Sequence, residues 1–174
     1  TPKQSEFSKR AQRAFVFEGQ ELWNLRHIVQ AFAAAPGPAA RLIERGEFDR
    51  WLRRSLSDSD RADSVQEALD TLKKSGRTTH YDEQMVAMVG IALEPQGPIS
   101  YRGLTVMPMG IGGALAETIR TGGDVQLISE IIANQFIAFW VNQQHEAKAE
   151  LVPFAQQFER VRGFIERGTL GSGI

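Results

Sequence analysis

The sequence predicts a mainly α-helical fold of about seven helices, in two related units that each begin with a very short strand. Apolar residues recur at helical spacing through most of the 174 residues, with glycine, proline or small-residue breaks between the stretches. The pattern typical of a strand occurs only near 15–17 and 99–107. We therefore expect two short strands that could pair with each other as a small sheet.

The composition is that of an ordinary globular domain, and it argues against several classes of function and location. Apolar residues make up 42%, charged residues 24%, and the net charge is −1, so no global field would attract nucleic acid or anionic lipid. The chain has no cysteine, which excludes disulfides and thiolate metal ligands. No apolar run reaches the roughly 18 residues of a membrane span, and no signal peptide is visible. We expect a cytoplasmic protein that has no membrane segment and does not bind nucleic acid.

Residues 1–13 are polar and basic, and they predict a flexible lead-in to a single helical domain over residues 14–174. The chain starts without a methionine and ends in a glycine-rich stretch. We therefore expect it to be a piece of a longer protein.

The first unit, residues 14–56, begins with a strand and continues as helices. Phe15 and Phe17 recur with a period of two, and Gly19 supplies a turn. A helix should start at Glu21 and be ended by a run of alanine, proline and glycine. The apolar stripe of that helix comprises Leu22, Leu25, Ile28, Val29 and Phe32. Two shorter helices should follow, at 39–45 and at about 48–56.

Two connecting helices are predicted between residues 58 and 94. Asp58 and its polar neighbours are good N-cap residues for a helix at about 59–75, which Gly76 ends. The next helix, from Asp82 to Leu93, is apolar on nearly every face. Such a helix should lie at the centre of the core.

The second unit covers residues 99–144. Ile99 to Met107 has strand preference, and Gly110 to Thr121 predicts a short helix rich in small residues. The longest apolar helix should run from Asp124 to Gln144. A last amphipathic helix is predicted at 147–167.

The two units align when Gly19 is matched with Gly103 and Trp51 with Trp140. Each then runs strand, glycine turn, helix, small-residue break, helix and aromatic anchor. We predict that these similar units pack on the two most apolar helices and share one core. The alternative is a coincidence between two short apolar patterns.

Several of these motifs resemble segments of large bacterial multidomain proteins. The motifs are Phe-x-Phe-x-Gly19, then Leu42-Ile-x-Arg-Gly-x-Phe-x-x-Trp51-Leu, and finally Ala92-Leu-Glu-Pro95 with Ile99-Ser-Tyr-Arg-Gly103. The segments that they resemble accompany eukaryote-like Ser/Thr kinase domains or heat-shock-type ATPase chaperone domains. The resemblance transfers no catalytic residue, and it implies an accessory or regulatory module beside such a domain.

A glycine-rich turn is the first candidate for chemistry. Gly110, Gly112 and Gly113 follow a predicted strand and open a helix, which is the setting of an anion-binding loop. The full Gly-x-Gly-x-x-Gly spacing is not met, because position 115 is leucine. The plainer interpretation is a tight strand-to-helix turn with close helix packing.

The sequence patterns for a metal site or a catalytic nucleophile are weaker than the glycine-rich turn. His80 and Asp82 lie close together, but the only further histidine with an acid beside it is His145. A polar link and a helix cap explain the first pair, so we expect no metal site and no cofactor. No nucleophile elbow or kinase signature occurs.

The candidate partner-binding residues are Trp23, Arg50, Arg53 and Arg54. Trp23 lies off the apolar stripe of its helix, and an exposed tryptophan offers a large contact area at little entropic cost. The arginines could form a basic face, although nearby acids make a balanced, solvated face the plainer interpretation.

Together these observations favour a non-catalytic interaction or regulatory module of a bacterial signalling or chaperone-like protein. It would bind a protein partner, or a neighbouring domain of its own chain, through a helix surface. Two alternatives stay open. One is a domain that binds a nucleotide or phosphate at Gly110–Gly113, and the other is an enzyme with paired carboxylates.

Overall fold

The computed structural model describes residues 10–76, 78–144, 156 and 159–160, and the fold is mainly helical, as predicted. Eight α-helices lie in these ranges: α1 (Leu25–Ala34), α2 (Pro36–Glu44), α3 (Glu47–Arg54), α4 (Ser59–Ser75), α5 (Tyr81–Leu93), α6 (Ile111–Thr121), α7 (Val125–Ala133) and α8 (Phe136–Asn142). The predicted helices at 59–75 and 82–93 are confirmed as α4 and α5. Among the described residues, none of the helices combines the length and apolar character of a membrane span.

Four short strands form two separate antiparallel hairpins in the described part of the chain. β1 (Phe15–Phe17) pairs with β2 (Gln20–Leu22), and β3 (Ile99–Tyr101) pairs with β4 (Leu104–Val106). The expectation that one strand from each unit would pair with the other is wrong. Each strand instead pairs with the segment that follows its own two-residue turn, because a local hairpin satisfies its backbone groups without a long loop closure.

The two hairpins have the same turn. Glu18 and Gly19 have φ angles of 50° and 75°, and Arg102 and Gly103 have 50° and 86°. Two consecutive positive φ angles define the hairpin turn whose twist matches that of the strands. Three helices follow each hairpin, and the third of them carries the aromatic anchor, in α3 and in α8. The two units therefore share one order of elements.

Several helix boundaries differ from the prediction by up to three residues, and two differences are larger. The first helix begins at Leu25 and not at Glu21, because β2 occupies the preceding residues and the Asn24 side chain caps the helix by accepting from the His27 amide. The predicted long helix from Asp124 to Gln144 is two helices, α7 and α8. Asn134 separates them with an extended backbone, and its side-chain amide donates to the carbonyl of Glu130. The backbone amide of Asn134 donates to the same carbonyl at 3.0 Å, so both bonds close the last turn of α7.

Helix α5 lies at the centre of the fold, as its apolar sequence predicts. It packs against α1 and α2 of the first unit, β3 and α8 of the second, and α4. Nine of its residues, from Gln84 to Leu93, are buried. The two units consequently share one core through this helix.

The aromatic residues of the first unit form a cluster beside α5. The Phe32 ring makes edge contacts with the rings of Phe15, Phe17 and Phe48, at centroid distances of 6.0, 5.1 and 5.1 Å. The second unit has one ring contact among the described residues, between Tyr101 and Phe136 at 5.1 Å. The first unit is therefore the more aromatic of the two.

Part of the predicted lead-in belongs to the fold. The amide of Ala11 donates to the carbonyl of Trp23, and the amide of Gln12 donates to that of Ser55, both at 2.9 Å. The Trp51 indole N–H donates to the carbonyl of Arg13 at 2.8 Å. Residues 11–13 are thus joined to the first unit by hydrogen bonds. Residues 1–9 and the predicted helix at 147–167 lie outside the described residues, except for 156, 159 and 160.

Candidate functional site

Trp23 lies at an edge of the first unit, where it is half-buried. The guanidinium carbon of Arg10 is 4.3 Å from the centroid of its indole ring, which is the geometry of a cation–π contact. The backbone segment that carries Arg10 also reaches Ser55, directly after α3. The segment thereby brings Trp23 and the C-terminal end of α3, which are far apart in sequence, to one edge.

The three arginines of α3 differ in their surroundings. Arg53 forms ion pairs with Asp49 at 3.0 Å and with Asp63 of α4 at 2.8 Å. The hydrogen bonds that the Arg53 guanidinium donates to these two carboxylates, the one to Asp49 first, raise the pKa of Arg53 above its ordinary value. Arg50 and Arg54 are exposed one helical turn apart, and neither takes part in the ion pairs found within the described residues.

We call the surface formed by Arg10, Arg13, Trp23, Arg50 and Arg54 the basic edge. Its backbone is held by the hydrogen bonds to residues 11–13 described above, so its side chains project from a fixed scaffold. Arg53 is not part of it, because two aspartates neutralise that side chain. A cationic rim beside an aromatic ring can bind a carboxylate-bearing segment by charge and by contact area.

The glycine-rich turn is exposed and offers an anion backbone amides only. Gly110 caps α6, and Gly112 and Gly113 lie in its first turn, all three exposed. No charged side chain occurs in this turn, and a Cβ at any of the three glycines would meet no heavy atom within 4 Å. The close packing that the sequence suggested here is therefore absent, and the helix amides alone remain to bind an anion.

His80 and Asp82 lie at the start of α5, but neither side chain makes a capping hydrogen bond there. His80 is the N-cap residue and Asp82 lies in the first turn of that helix. His145 lies outside the described residues. Among the residues that the structure describes, no three histidines or acids come together as a metal site would require.

A groove of about 400 Å³ opens on the other flank of α3, between α2, α4 and α5. Its floor is apolar and consists of Ile43, Phe48, Val65, Leu69 and Met85. The charged side chains that border it are Glu44, Asp49 and Lys73, and Tyr81 lies at its end on α5. No sequence motif predicts this groove, because its residues come from four helices and meet only when those helices pack.

The acids of the groove do not favour a paired-carboxylate mechanism. Asp49 is bound to Arg53, and its side chain is 37% exposed. Glu44 is exposed and also has a partner. Such a mechanism needs one desolvated carboxylic acid beside an ionised one, and neither of these two carboxylates is buried.

Comparison of the chain with protein-family models, with curated proteins and with solved structures found no match. The resemblance to kinase- or chaperone-associated modules therefore stays a prediction.

Proposed function

We propose that this domain is a non-catalytic interaction module whose basic edge binds an acidic segment of a partner protein or of a neighbouring domain. The observation that carries the proposal is the contrast within α3. Arg53 is neutralised by Asp49 and Asp63, whereas Arg50 and Arg54 are exposed outside the ion pairs of the described residues. A cation that has no acid partner in its own fold keeps its capacity to bind one from outside.

Trp23 supplies the second element of the surface. Its ring is covered on one face by Arg10 and remains half-exposed. Tryptophan and arginine are the residues most enriched at binding hot spots, because they combine a large contact area with directed polar groups. An occupant that is both acidic and partly apolar would use both elements.

A protein segment fits this surface better than a nucleic acid does. The chain has a net charge of −1, so the attraction of the four arginines is local and does not extend along the molecule. Nucleic-acid binding draws most of its affinity from many phosphate contacts. The basic edge consists of one helix end and a short flanking segment. A surface of this size can contact a few carboxylates but not a long row of phosphates.

The wider setting belongs to the same proposal. The domain would be an accessory part of a bacterial cytoplasmic signalling or chaperone-like protein, and the bound segment would belong to that protein or to its substrate. The motifs around Gly19, Trp51 and Gly103 support this setting by resemblance only.

The test is binding of a fluorescein-labelled acidic peptide of Glu, Asp and Leu, followed by fluorescence anisotropy at two salt concentrations. Replacing both Arg50 and Arg54 by glutamine should weaken binding about tenfold, since each exposed charge pair is worth roughly 0.2–1 kcal/mol. The matched control replaces Lys74 and Arg120, which removes the same charge elsewhere, and it should bind like the parent chain. Equal loss in both double variants would refute the basic edge as the site.

Trp23→Ala provides a second arm. We expect it to weaken peptide binding while the chain still folds, because part of the ring is exposed and lies outside the buried core. A large fall in Tm with unchanged peptide affinity would assign Trp23 to the core and refute its role here. Tighter binding of single-stranded RNA than of the acidic peptide would refute the choice of a protein segment.

A further inference from the structure

We propose that an exposed apolar face of the second unit, around α6, is the docking surface for residues 154–165 of this same chain. Most of the large apolar side chains that are exposed in the described part of the chain lie between residues 107 and 125. They are Met107, Met109, Ile119 and Val125, and we call them the methionine face. This face belongs to the second unit and does not depend on the basic edge.

Helix α6 is less covered than its counterpart in the first unit. It is the first α-helix after its hairpin, as α1 is after the other. Helix α1 buries Leu25, Ile28 and Phe32 and packs against α5. Helix α6 buries only Ile111, and its main contacts are with α7 and with the short helical turn Pro108–Gly110. The described elements therefore leave much of the apolar surface of α6 in contact with solvent.

Residues 154–165 have the pattern of an amphipathic helix that needs such a surface. Their apolar residues recur every three or four positions, which places them on one side of a helix. They are Phe154, Phe158, Val161 and Ile165. Gln156, Glu159 and Arg160 are described, and all three are helical and exposed. At 3.6 residues per turn, these three project from the opposite side. The side left to pack is therefore the apolar one.

The described chain approaches the methionine face shortly before this segment. The side-chain amide of Gln144 donates to the carbonyl of Pro95. Pro95 lies four residues before Ile99, whose partner across the second hairpin is Val106, directly before the methionine face. The chain from 144 to 154 can span up to ~33 Å. Residues 154–165 as a helix would be about 18 Å long, close to the roughly 16 Å of α6, so the segment can reach α6 and lie along it.

The chain's own segment fits the methionine face better than a separate partner. The charges beside the face are already paired, Glu117 with Arg120 and Arg102 with Glu130 at 2.7 Å, so a strongly charged partner would gain little. The face is also small beside the roughly 20–30 residues a side of a stable interface between proteins. A tethered segment needs less contact, because its effective concentration is in the millimolar range.

Oxidation of the methionines by hydrogen peroxide, followed by mass spectrometry of the full chain, tests the docking. Sulfoxide formation follows exposure. Met107 and Met109 should oxidise at least about tenfold more slowly than in a short unstructured peptide, at low and at high protein concentration alike. Oxidation as fast as in the peptide would overturn the docking. Protection that appears only at high protein concentration would assign the face to a second copy and overturn the choice of segment.

Two double variants locate the segment. Phe158→Ser with Val161→Ser should release it and raise the oxidation rates of the two methionines of the face about tenfold. The other two methionines of the chain, which are at most 2% exposed, should stay protected and so report that the fold is intact. Gln156→Ser with Arg160→Ser changes the exposed side and should leave all rates as in the parent chain. Unchanged oxidation of the methionine face in the first double variant would overturn the proposal.

A substitution in α6 tests the other side of the contact and leaves the segment itself unaltered. Ile119 is 62% exposed, so Ile119→Asp should matter little unless the segment covers it. We expect it to raise the oxidation rates of the methionine face, whereas Val16→Asp, at a residue that is 65% exposed in the first unit, should not. Equal rates in these two variants would refute α6 as the docking surface. The basic-edge variants at Arg50 and Arg54 should keep the parent rates, so failure of the two proposals can be told apart.

Discussion

The Phe32→Leu substitution tests whether ring contacts stabilise the first unit beyond simple burial. Phe32 is 1% exposed on α1, and its ring makes edge contacts with Phe15, Phe17 and Phe48 at 6.0, 5.1 and 5.1 Å. Leucine keeps most of the apolar burial but removes the ring. An aromatic pair is worth about 0.5–1.5 kcal/mol beyond its buried area. Because the three contacts share one ring and do not add fully, we expect them to contribute about 2 kcal/mol.

The same substitution at Phe139 is the matched control. Phe139 is 3% exposed on α8 and makes no ring contact among the described residues. Its replacement by leucine should cost about 1 kcal/mol, as for other apolar substitutions that keep most of the volume. With that packing cost included, Phe32→Leu should lower the free energy of unfolding by about 3 kcal/mol.

Urea denaturation, followed by circular dichroism, measures the free energy of unfolding of both variants. The comparison requires equal m-values, because a change in m would signal a different unfolded or native state. Equal losses of stability in Phe32→Leu and Phe139→Leu would refute the reasoning, since the aromatic cluster would then contribute nothing beyond burial.

Two further predictions concern the hairpins. Tyr101 is buried, and desolvation first, then the charge of Glu130, raises the pKa of its hydroxyl above the ordinary value of 10.0. The unfolded chain therefore loses this proton at a lower pH than the folded chain does. The contribution of Tyr101 to the free energy of unfolding is full below pH 10 and is lost as the pH rises from there through the folded pKa. In urea titrations at alkaline pH, the free energy of unfolding should fall less for Tyr101→Phe than for the parent chain, and an equal fall would contradict this. Gly19 and Gly103 have positive φ angles of 75° and 86°. Gly19→Ala and Gly103→Ala should therefore each lower the free energy of unfolding by about 1–2 kcal/mol. Asparagine at either position should lower it less. Alanine variants as stable as the parent in thermal unfolding would contradict the turn geometry.

Much of the helical architecture could be predicted from the sequence. The near-continuous apolar pattern of Asp82 to Leu93 placed that helix at the centre, and α5 is there. The Asp58 side chain caps α4 by accepting from the amide of Arg61, as expected of an N-cap residue. These features are local or depend on one strong periodicity, and such signals survive the formation of the tertiary structure.

The hairpin partners were only partly predicted, for a physical reason. The sequence pattern makes Gly19 a turn into a helix and places Gly103 inside one stretch of strand preference, whereas each glycine is the second residue of a tight turn between two strands. The available signal was a glycine within a two-residue loop between alternating residues. The break at Asn134 was missed because apolar residues recur at helical spacing on both sides of it, whereas the backbone of Asn134 is extended in the folded chain.

The candidate sites were also predicted only in part from the sequence. The sequence identified Trp23, Arg50, Arg53 and Arg54 as a group, but it could not separate Arg53, which pairs with Asp63, from the two arginines that take part in none of the ion pairs among the described residues. That distinction depends on how α4 packs against α3, and only the folded chain contains it. The groove beside Lys73 had no sequence signal at all.

The sequence by itself determined the helical class, the central apolar helix and the two aromatic anchors, because hydrophobic periodicity and turn chemistry act over a few neighbouring residues. The tertiary structure alone decided which charges are compensated and where a concave surface forms. Those properties arise when helices distant in the chain meet, and pairing between distant side chains leaves no trace in local spacing.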